Sequence, residues 1–296
     1  MKEYLFSVAD CCFSVLIPKA WSIARLLPSF HPFLYKGETR PELLFQLKVG
    51  EERTTCSVEG GKLLEESTND LGYVRVMSAP HGYHLEISYD EAREQIHTLD
   101  VNRSFTQAVA TLIYADYTAG VALSSMLRML FAQTILQKEG ISVHASCVCK
   151  SGVGYLFLGK SGTGKSTHSE QWMEVFPDCK LLNDDNPIIR LRNGKPEVYG
   201  SPWSGKKNYY LQEHYPVGGI VRLHQAPSNR FEPLADTAAF AAVLPSCSGF
   251  RKEFESQQVL YNTLIEIVGM TAIGRLYCLP DNESARLCFL NLVKFQ

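Results

Sequence analysis

The sequence predicts an α/β protein of two domains, a smaller strand-rich α+β domain over residues 1–105 and a P-loop domain with a mixed sheet over 106–296. Three observations lead there. The first hundred residues alternate short apolar runs with turn residues. From about Arg103 the apolar spacing lengthens to a helical period. Further on, an apolar strand enters a glycine-rich turn that opens directly into a helix-compatible stretch.

At roughly 150 residues per domain, 296 residues suit two domains. Hydrophobic residues make up 45% and charged residues 20%, a globular balance that excludes a disordered tail, a collagen-like repeat and a coiled coil. A net charge of −2 with no basic stripe argues against a nucleic-acid partner. The most apolar long segment, Ala108 to Leu136, is interrupted by Asp116 and Arg128, so no membrane span is expected. Glu3 and Asp10 stand where a signal peptide needs an apolar run, which gives a cytoplasmic expectation. Nine cysteines, an odd number without a C-x-x-C pair, indicate neither a disulfide framework nor a zinc knuckle and read as small reduced hydrophobes.

In the N-terminal domain, Leu43–Val49 is a strand after Pro41. Tyr73–Met77 and Tyr83–Ser88 form a hairpin about the turn Ser78–Gly82, and charged Asp90–Thr98 reads as a short helix. Leu123, Leu127, Leu130, Phe131 and Ile135 make the apolar face of a long helix that Gly140 stops. Ile141–Cys149 and Tyr155–Leu158 then read as two strands of a hairpin about the turn KSGVG.

The second of those strands runs into GKSGTGKST, Gly159 to Thr167. Gly159, Gly164, Lys165 and Ser166 satisfy G-x-x-x-x-G-K-[ST], a pattern that arises by chance in a chain of this length roughly once in a hundred. Gly159, Lys160, Ser161, Gly162, Thr163, Gly164, Lys165, Ser166 and Thr167 make up a loop whose N–H groups can turn toward phosphate oxygens, and a helix-compatible stretch, His168–Phe176, follows and ends at Pro177. In this pattern the lysine reaches the β- and γ-phosphates and the Ser166 hydroxyl ligates Mg²⁺. The bland alternative is a glycine-rich turn with no ligand.

Downstream, KLLNDDNPIIRL places Asp184 and Asp185 at the end of an apolar run. Adjacent carboxylates near a phosphate loop can hold a metal and accept the proton of an attacking hydroxyl. The competing reading is a solvated Asx turn, because Asn183–Pro187 is rich in turn formers. His144 stands in an apolar strand, where histidine is usually a core residue, yet the hairpin sets it beside the strand that feeds the loop. The stretch YGSPWSGKKNYY, Tyr199 to Tyr210, makes a poor strand or helix, and its Lys206 or Lys207 can offer charge to phosphate. Arg222 and Arg230 flank a later apolar strand and are either phosphate ligands or packing residues.

The string VHASCVCKSGVGYLFLGKSGTGKST resembles the ATP site shared by HPr kinase/phosphorylase and ATP-dependent phosphoenolpyruvate carboxykinase. Those families also place a histidine on the strand before the phosphate loop and an Asp-Asp pair on the next strand, and His144 and Asp184-Asp185 match those places. The resemblance implies that His144 and Asp185 lie at the metal, as in the carboxykinases, and that Asp184 takes the acceptor's proton, as an aspartate of the pair does in HPr kinases. A glycine-rich loop with a phosphate-binding lysine follows the pair in the carboxykinases. Gly200–Lys206 lies at a similar distance, which favours Lys206 over Lys207. The likeness covers Leu123 to Tyr210 and implies the carboxykinase-like nucleotide fold. HPr kinases assemble as hexamers, so a homo-oligomer is implied as well. YGSPWSGKKNYY differs from the HPr kinase signature loop, and the chain is much shorter than the carboxykinases.

The expected activity is transfer of the γ-phosphoryl group of ATP, with Mg²⁺, to a hydroxyl on a protein, a peptide or a small metabolite. Asp184, Lys165, His144 and Lys206 are the expected catalytic residues, residues 159–167 the nucleotide cradle, and Ser166 and Asp185 the metal ligands. Two alternatives stand beside it, a phosphoenolpyruvate carboxykinase-type lyase and a non-catalytic module that uses nucleotide to order a partner surface.

Overall fold

A computed structural model describes residues 1–51, 61–69, 72–115, 117–205, 209–249 and 254–294. Cys56, Asp116, Lys206 and Lys207 lie outside the described residues. The chain divides into two compact units, Met1–Thr134 and Ile135–Gln296. Both are mixtures of helix and strand, and both sheets are mixed.

The first unit contains β1 (Lys2–Val8), β2 (Cys11–Ile17), α1 (Ile23–Leu26), β3 (Leu43–Gly50), β4 (Lys62–Asn69), β5 (Gly72–Ala79), β6 (Gly82–Ser88), β7 (Ile96–Asn102), β8 (Gln107–Thr111) and α2 (Ala119–Thr134). Its eight strands run in the order β1-β2-β3-β8-β7-β6-β5-β4. Neighbours are antiparallel except β2 with β3 and β3 with β8. The hairpin expected about Pro80 is β5–β6, with Ala79 opposite Gly82. The helix expected over Asp90–Thr98 is not formed. The Asp90 carboxylate instead accepts hydrogen bonds from the N–H groups of Glu94 and Gln95, curling the chain locally, and Ile96 then enters β7, which is paired on both sides. Stacked and edge-on rings of Phe6, Phe13, Phe30, Phe45 and Phe131 fill the core.

The expected division after residue 105 moves to Thr134. The reason is that β8 is an interior strand of the first sheet and α2 brings Phe131 onto Phe13. Residues Ala119–Lys138 form a helical run long and apolar enough to cross a membrane by length and composition, and 72% of its most apolar 18-residue stretch is buried within the protein.

The second unit contains β9 (Gly140–Ser142), β10 (Ala145–Lys150), β11 (Val153–Leu158), α3 (Lys165–Val175), β12 (Cys179–Asn183), β13 (Ile188–Arg192), β14 (Lys195–Tyr199), β15 (His214–Gln225), β16 (Arg230–Leu234), α4 (Asp236–Val243), α5 (Phe254–Gly269), β17 (Ile273–Cys278) and α6 (Asn282–Val293). Strand β15 belongs to two ladders. Its first residues pair with β14, and its later ones lie between β11 and β17, parallel to both. On the other side of β11 stand β10 and then β12, both antiparallel ladders. Alternate residues of the strands face opposite ways. Leu156, Leu158 and Ile220 pack with Val243 of α4 and Leu264 of α5. Phe157, Val221 and Leu223 pack with Trp172 of α3 and Leu292 of α6. The sheet is thus covered on both faces.

The β10–β11 hairpin closes through Ser151 and Gly152, both at positive φ, the backbone that a two-residue turn of the right twist requires. One expectation is corrected. Ile141–Cys149 is not a single strand: it breaks at Val143–His144, where β9 leaves to pair with β13 and β10 begins its ladder with β11. The described cysteines are unbridged, and most are buried.

Candidate functional site

The glycine-rich loop joins β11 to α3. Gly162 and Gly164 have φ of +77° and +101°, and no atom would lie within 4 Å of a Cβ at either, so backbone conformation alone demands glycine there. The loop is tied across its base: the N–H and the hydroxyl of Thr163 both donate to the Lys160 carbonyl, at 3.1 and 2.8 Å. A Cβ on Gly159 would stand 2.9 Å from that of Thr163, so the loop closes tightly at its start. Lys160, Ser161, Gly162 and Thr167 are exposed, while Thr163, Gly164 and Ser166 are half-buried. Gly164 is the N-cap of α3 and brings no side-chain acceptor, so the first-turn N–H groups have no side-chain cap. An anion can take that place, helped by the helix dipole.

Lys165 is buried, and its ammonium donates to the Gly159 carbonyl at 3.1 Å and to that of Lys160 at 3.4 Å. Burial lowers its pKa below the ordinary lysine range. The carboxylates of Asp185 and then Asp184 oppose that shift. The lysine is therefore folded over the loop, within electrostatic reach of both aspartates.

The aspartate pair is presented by Asn183, the last residue of β12. Its buried side-chain oxygen accepts from the N–H groups of Asp185 and Asn186, at 3.0 and 2.8 Å. Its amide nitrogen donates to the Ser201 carbonyl, the Ser201 hydroxyl and the Trp203 carbonyl, at 3.2, 3.1 and 3.1 Å. An Asx turn is thus present, and it is the device that sets the two carboxylates rather than an alternative to them. The same side chain pins the start of the stretch 200–205. That stretch has no regular structure, and Gly200 is fixed by close approach, since a Cβ there would lie 2.1 Å from the Leu211 carbonyl oxygen.

Asp184 is buried. Its Oδ1 accepts from the Ser146 hydroxyl at 2.8 Å, and the Ser146 oxygen lies 2.6 Å from that of Ser169. Ser146 has one hydroxyl hydrogen and gives it to the carboxylate, so Ser169 is the donor to Ser146. A relay of hydroxyls therefore ties Asp184 through β10 to α3. Its Oδ2 faces Gly205, where a Cβ would come within 3.6 Å of it.

Asp185 is less buried, and its Oδ2 accepts from the Asn186 amide at 3.1 Å. Its Oδ1 lies 3.5 Å from His144 Nε2. The break between β9 and β10 makes this possible. The His144 N–H donates to the Ser246 carbonyl at 2.7 Å, and the imidazole is turned outward with its side chain 44% exposed, which removes the core reading. Arg222 donates to the Ala242 carbonyl and to the Ser246 hydroxyl. Arg230 lies on β16, the far side of β17, paired with Glu232 and stacked over Tyr277.

The structure thus brings together Lys165, Asp184, Asp185 and His144, and it leaves Arg230 at a distance along the sheet. Sequence reasoning did not single out Ser146, Ser169 or Ser201. The only signal for Ser146 is a polar residue between apolar ones on an interior strand. Asn183 was visible only as a turn former.

Among the described residues no group of three or more His, Cys, Asp and Glu gathers to hold a metal. Mg²⁺ commonly takes one or two protein oxygens with phosphate oxygens and water as the rest. Ser166 and Asp185 are hard oxygen donors of that kind, so the residues present fit a nucleotide-bound Mg²⁺.

Beneath the loop, His168 of α3 is buried. Its Nε2 accepts from the Trp172 indole N–H at 3.1 Å, which leaves the ring proton on Nδ1, facing the Ser284 hydroxyl at 3.4 Å. Burial lowers its pKa to about 4.

No protein-family model matches the chain, and no curated protein matches it. Among solved structures, the HPr(Ser) kinase/phosphatase from Coxiella burnetii is similar with a TM-score of 0.29 and 12% identity, over 52% of this chain and 93% of that one. A superposition of that extent leaves the chemistry to be argued from the residues themselves.

Proposed function

We propose that the second unit binds ATP with Mg²⁺ at the loop 159–167 and transfers the γ-phosphoryl group to a hydroxyl of an acceptor. The observation that carries this reading is the placing of Lys165: a buried ammonium folded over a phosphate-type loop, at a helix N-terminus without a side-chain cap, within electrostatic reach of Asp185 and Asp184.

Phosphoryl transfer asks a protein chiefly for positioning and electrostatics. The backbone of Gly159–Gly164 and the first turn of α3 hold the phosphates. Lys165 leaves the Gly159 and Lys160 carbonyls for phosphate oxygens and offsets charge on the transferred group. Ser166 and Asp185 would hold Mg²⁺, with His144 beside Asp185. When bound, Mg²⁺ would supply charge neutralisation to the phosphates. Asp184, fixed through one oxygen by Ser146, keeps the other toward Gly205 and takes the proton of the acceptor hydroxyl. The acceptor oxygen bonds to the γ-phosphorus, the bond from that phosphorus to the bridging oxygen breaks, and ADP leaves.

The test pairs calorimetric titration of Mg·ATP with a search for labelled acceptor in a cell extract supplied with γ-labelled ATP. Wild type binds and labels; Lys165→Ala, checked for folding by circular dichroism, does neither. Equal binding by the variant would sink the assignment. Binding by wild type without any labelled acceptor would favour the non-catalytic module.

A further inference from the structure

Strands β11, β15 and β17 are mutually parallel, so their C-terminal ends share one edge of the sheet. In α/β sheets that edge is where ligands collect. β11 contributes the phosphate loop to it, and β15 contributes His224 and Gln225, both exposed. The Gln225 amide donates to the Gly162 carbonyl at 3.3 Å, which ties the end of β15 to the loop. His224 is opposite Tyr277 on β17, and Tyr277 is opposite Arg230 on β16. The three planar groups form a stack. The His224 and Tyr277 ring centroids are 5.3 Å apart at 28°, and the Arg230 guanidinium lies 4.2 Å from the Tyr277 centroid. Nothing in the phosphoryl-transfer scheme uses this stack. In the sheet order it lies on the side of β11 opposite β10 and β12, the latter leading into the aspartate pair.

We infer that His224, backed by Tyr277 and Arg230, is the platform on which the purine base of the bound nucleoside triphosphate stacks. The inference rests on the nucleotide reading above and adds the part of the ligand that the phosphate loop does not recognise. Three features support it. The strand that carries the platform, β15, is tied to the loop by Gln225. A ring already supported on one face loses little freedom on stacking a second ring. Partial burial and then the charges of Arg275 and Arg222 lower the imidazole's pKa, which favours the uncharged ring.

The experiment compares two probes, Mg·ATP and Mg·tripolyphosphate, by calorimetry on wild type, His224→Ala and His224→Phe. The expected result is that His224→Ala weakens Mg·ATP by about tenfold, the scale of one base–aromatic contact, leaves tripolyphosphate unchanged, and that His224→Phe restores ATP affinity. If His224→Ala binds ATP as wild type does, or loses both probes equally, the platform is refuted while the phosphate loop stands. If wild type binds neither probe, the nucleotide reading falls and takes the platform with it.

Discussion

The hydroxyl of Ser146 donates to Asp184 across 2.8 Å, and Ser169 supports Ser146 from α3 at 2.6 Å. A carboxylate buried just past β12 is in this way oriented by a strand, β10, and by the helix that follows the glycine-rich loop. Ser146→Ala removes a charge-assisted hydrogen bond and strands the Ser169 hydroxyl. The expected loss of stability is about 1.5–3 kcal/mol, read by urea unfolding. The expected effect on chemistry is a fall in kcat with unchanged affinity for Mg·ATP, since the phosphate cradle does not depend on Ser146. A variant that loses affinity and keeps kcat would contradict the role given to Asp184.

The two aspartates separate by their response to metal. In Asp185→Asn the gain in ATP affinity on adding Mg²⁺ is expected to shrink by about tenfold or more. In Asp184→Asn that gain is retained while labelling of the acceptor is lost. Titrations of ATP with Mg²⁺ and with a chelator, run on both variants, read the difference.

Asn183 makes five hydrogen bonds through one buried side chain. Asn183→Ala leaves two N–H groups, two carbonyls and a hydroxyl without that partner, and a cost of about 3–5 kcal/mol is expected. Asn183→Asp is expected to be worse at neutral pH, because a carboxylate oxygen then faces the Ser201 and Trp203 carbonyls. Urea midpoints of the two variants at pH 7 give the order, and an aspartate variant more stable than the alanine would refute it.

His168 makes stability depend on pH. Its pKa in the folded chain, about 4, lies below the ordinary 6.5 of an unfolded histidine. The unfolded chain therefore takes up the proton first as pH falls. The stability held by the neutral ring is complete above pH 6.5 and drains away between there and about pH 4, by up to about 3 kcal/mol over that window. His168→Gln, less stable at pH 7, should show a flatter decline over the same range. Thermal melts of both proteins at intervals from pH 7.5 to 4.5 check this.

The loop at the centre of the site was open to reading because its chemistry is local. Gly162 and Gly164 are needed for their own φ angles, and Lys165 and Ser166 follow within the same turn. The hairpin that feeds it was equally local, through Ser151–Gly152. By the same logic Asn193–Gly194, both at positive φ, announces the β13–β14 hairpin, a signal present in the sequence and not drawn upon. What local pattern could not show was where an apolar run changes partner. Ile141–Cys149 is uniformly suited to a strand, and only the competition between β13 and β11 for it breaks it at His144. Asp90–Thr98 misled because charge density was taken for helix, when Asp90 was capping a turn. Ser146 and Asp184 are 38 residues apart, and a lone serine in an apolar strand carries no mark of its partner.

The position of β11 has a kinetic consequence. It is laddered on both edges and packed on both faces, whereas β12 is the terminal strand in its sheet order among the described residues. Amide protons of Leu156–Leu158 should exchange only on global unfolding, while those of β12 open by local fraying at lower free energy. In the proposed scheme, nucleotide capture and phosphoryl transfer therefore belong to different cooperative units. As denaturant rises, the protein should go on capturing ATP over a range of urea in which it has already ceased to transfer phosphate.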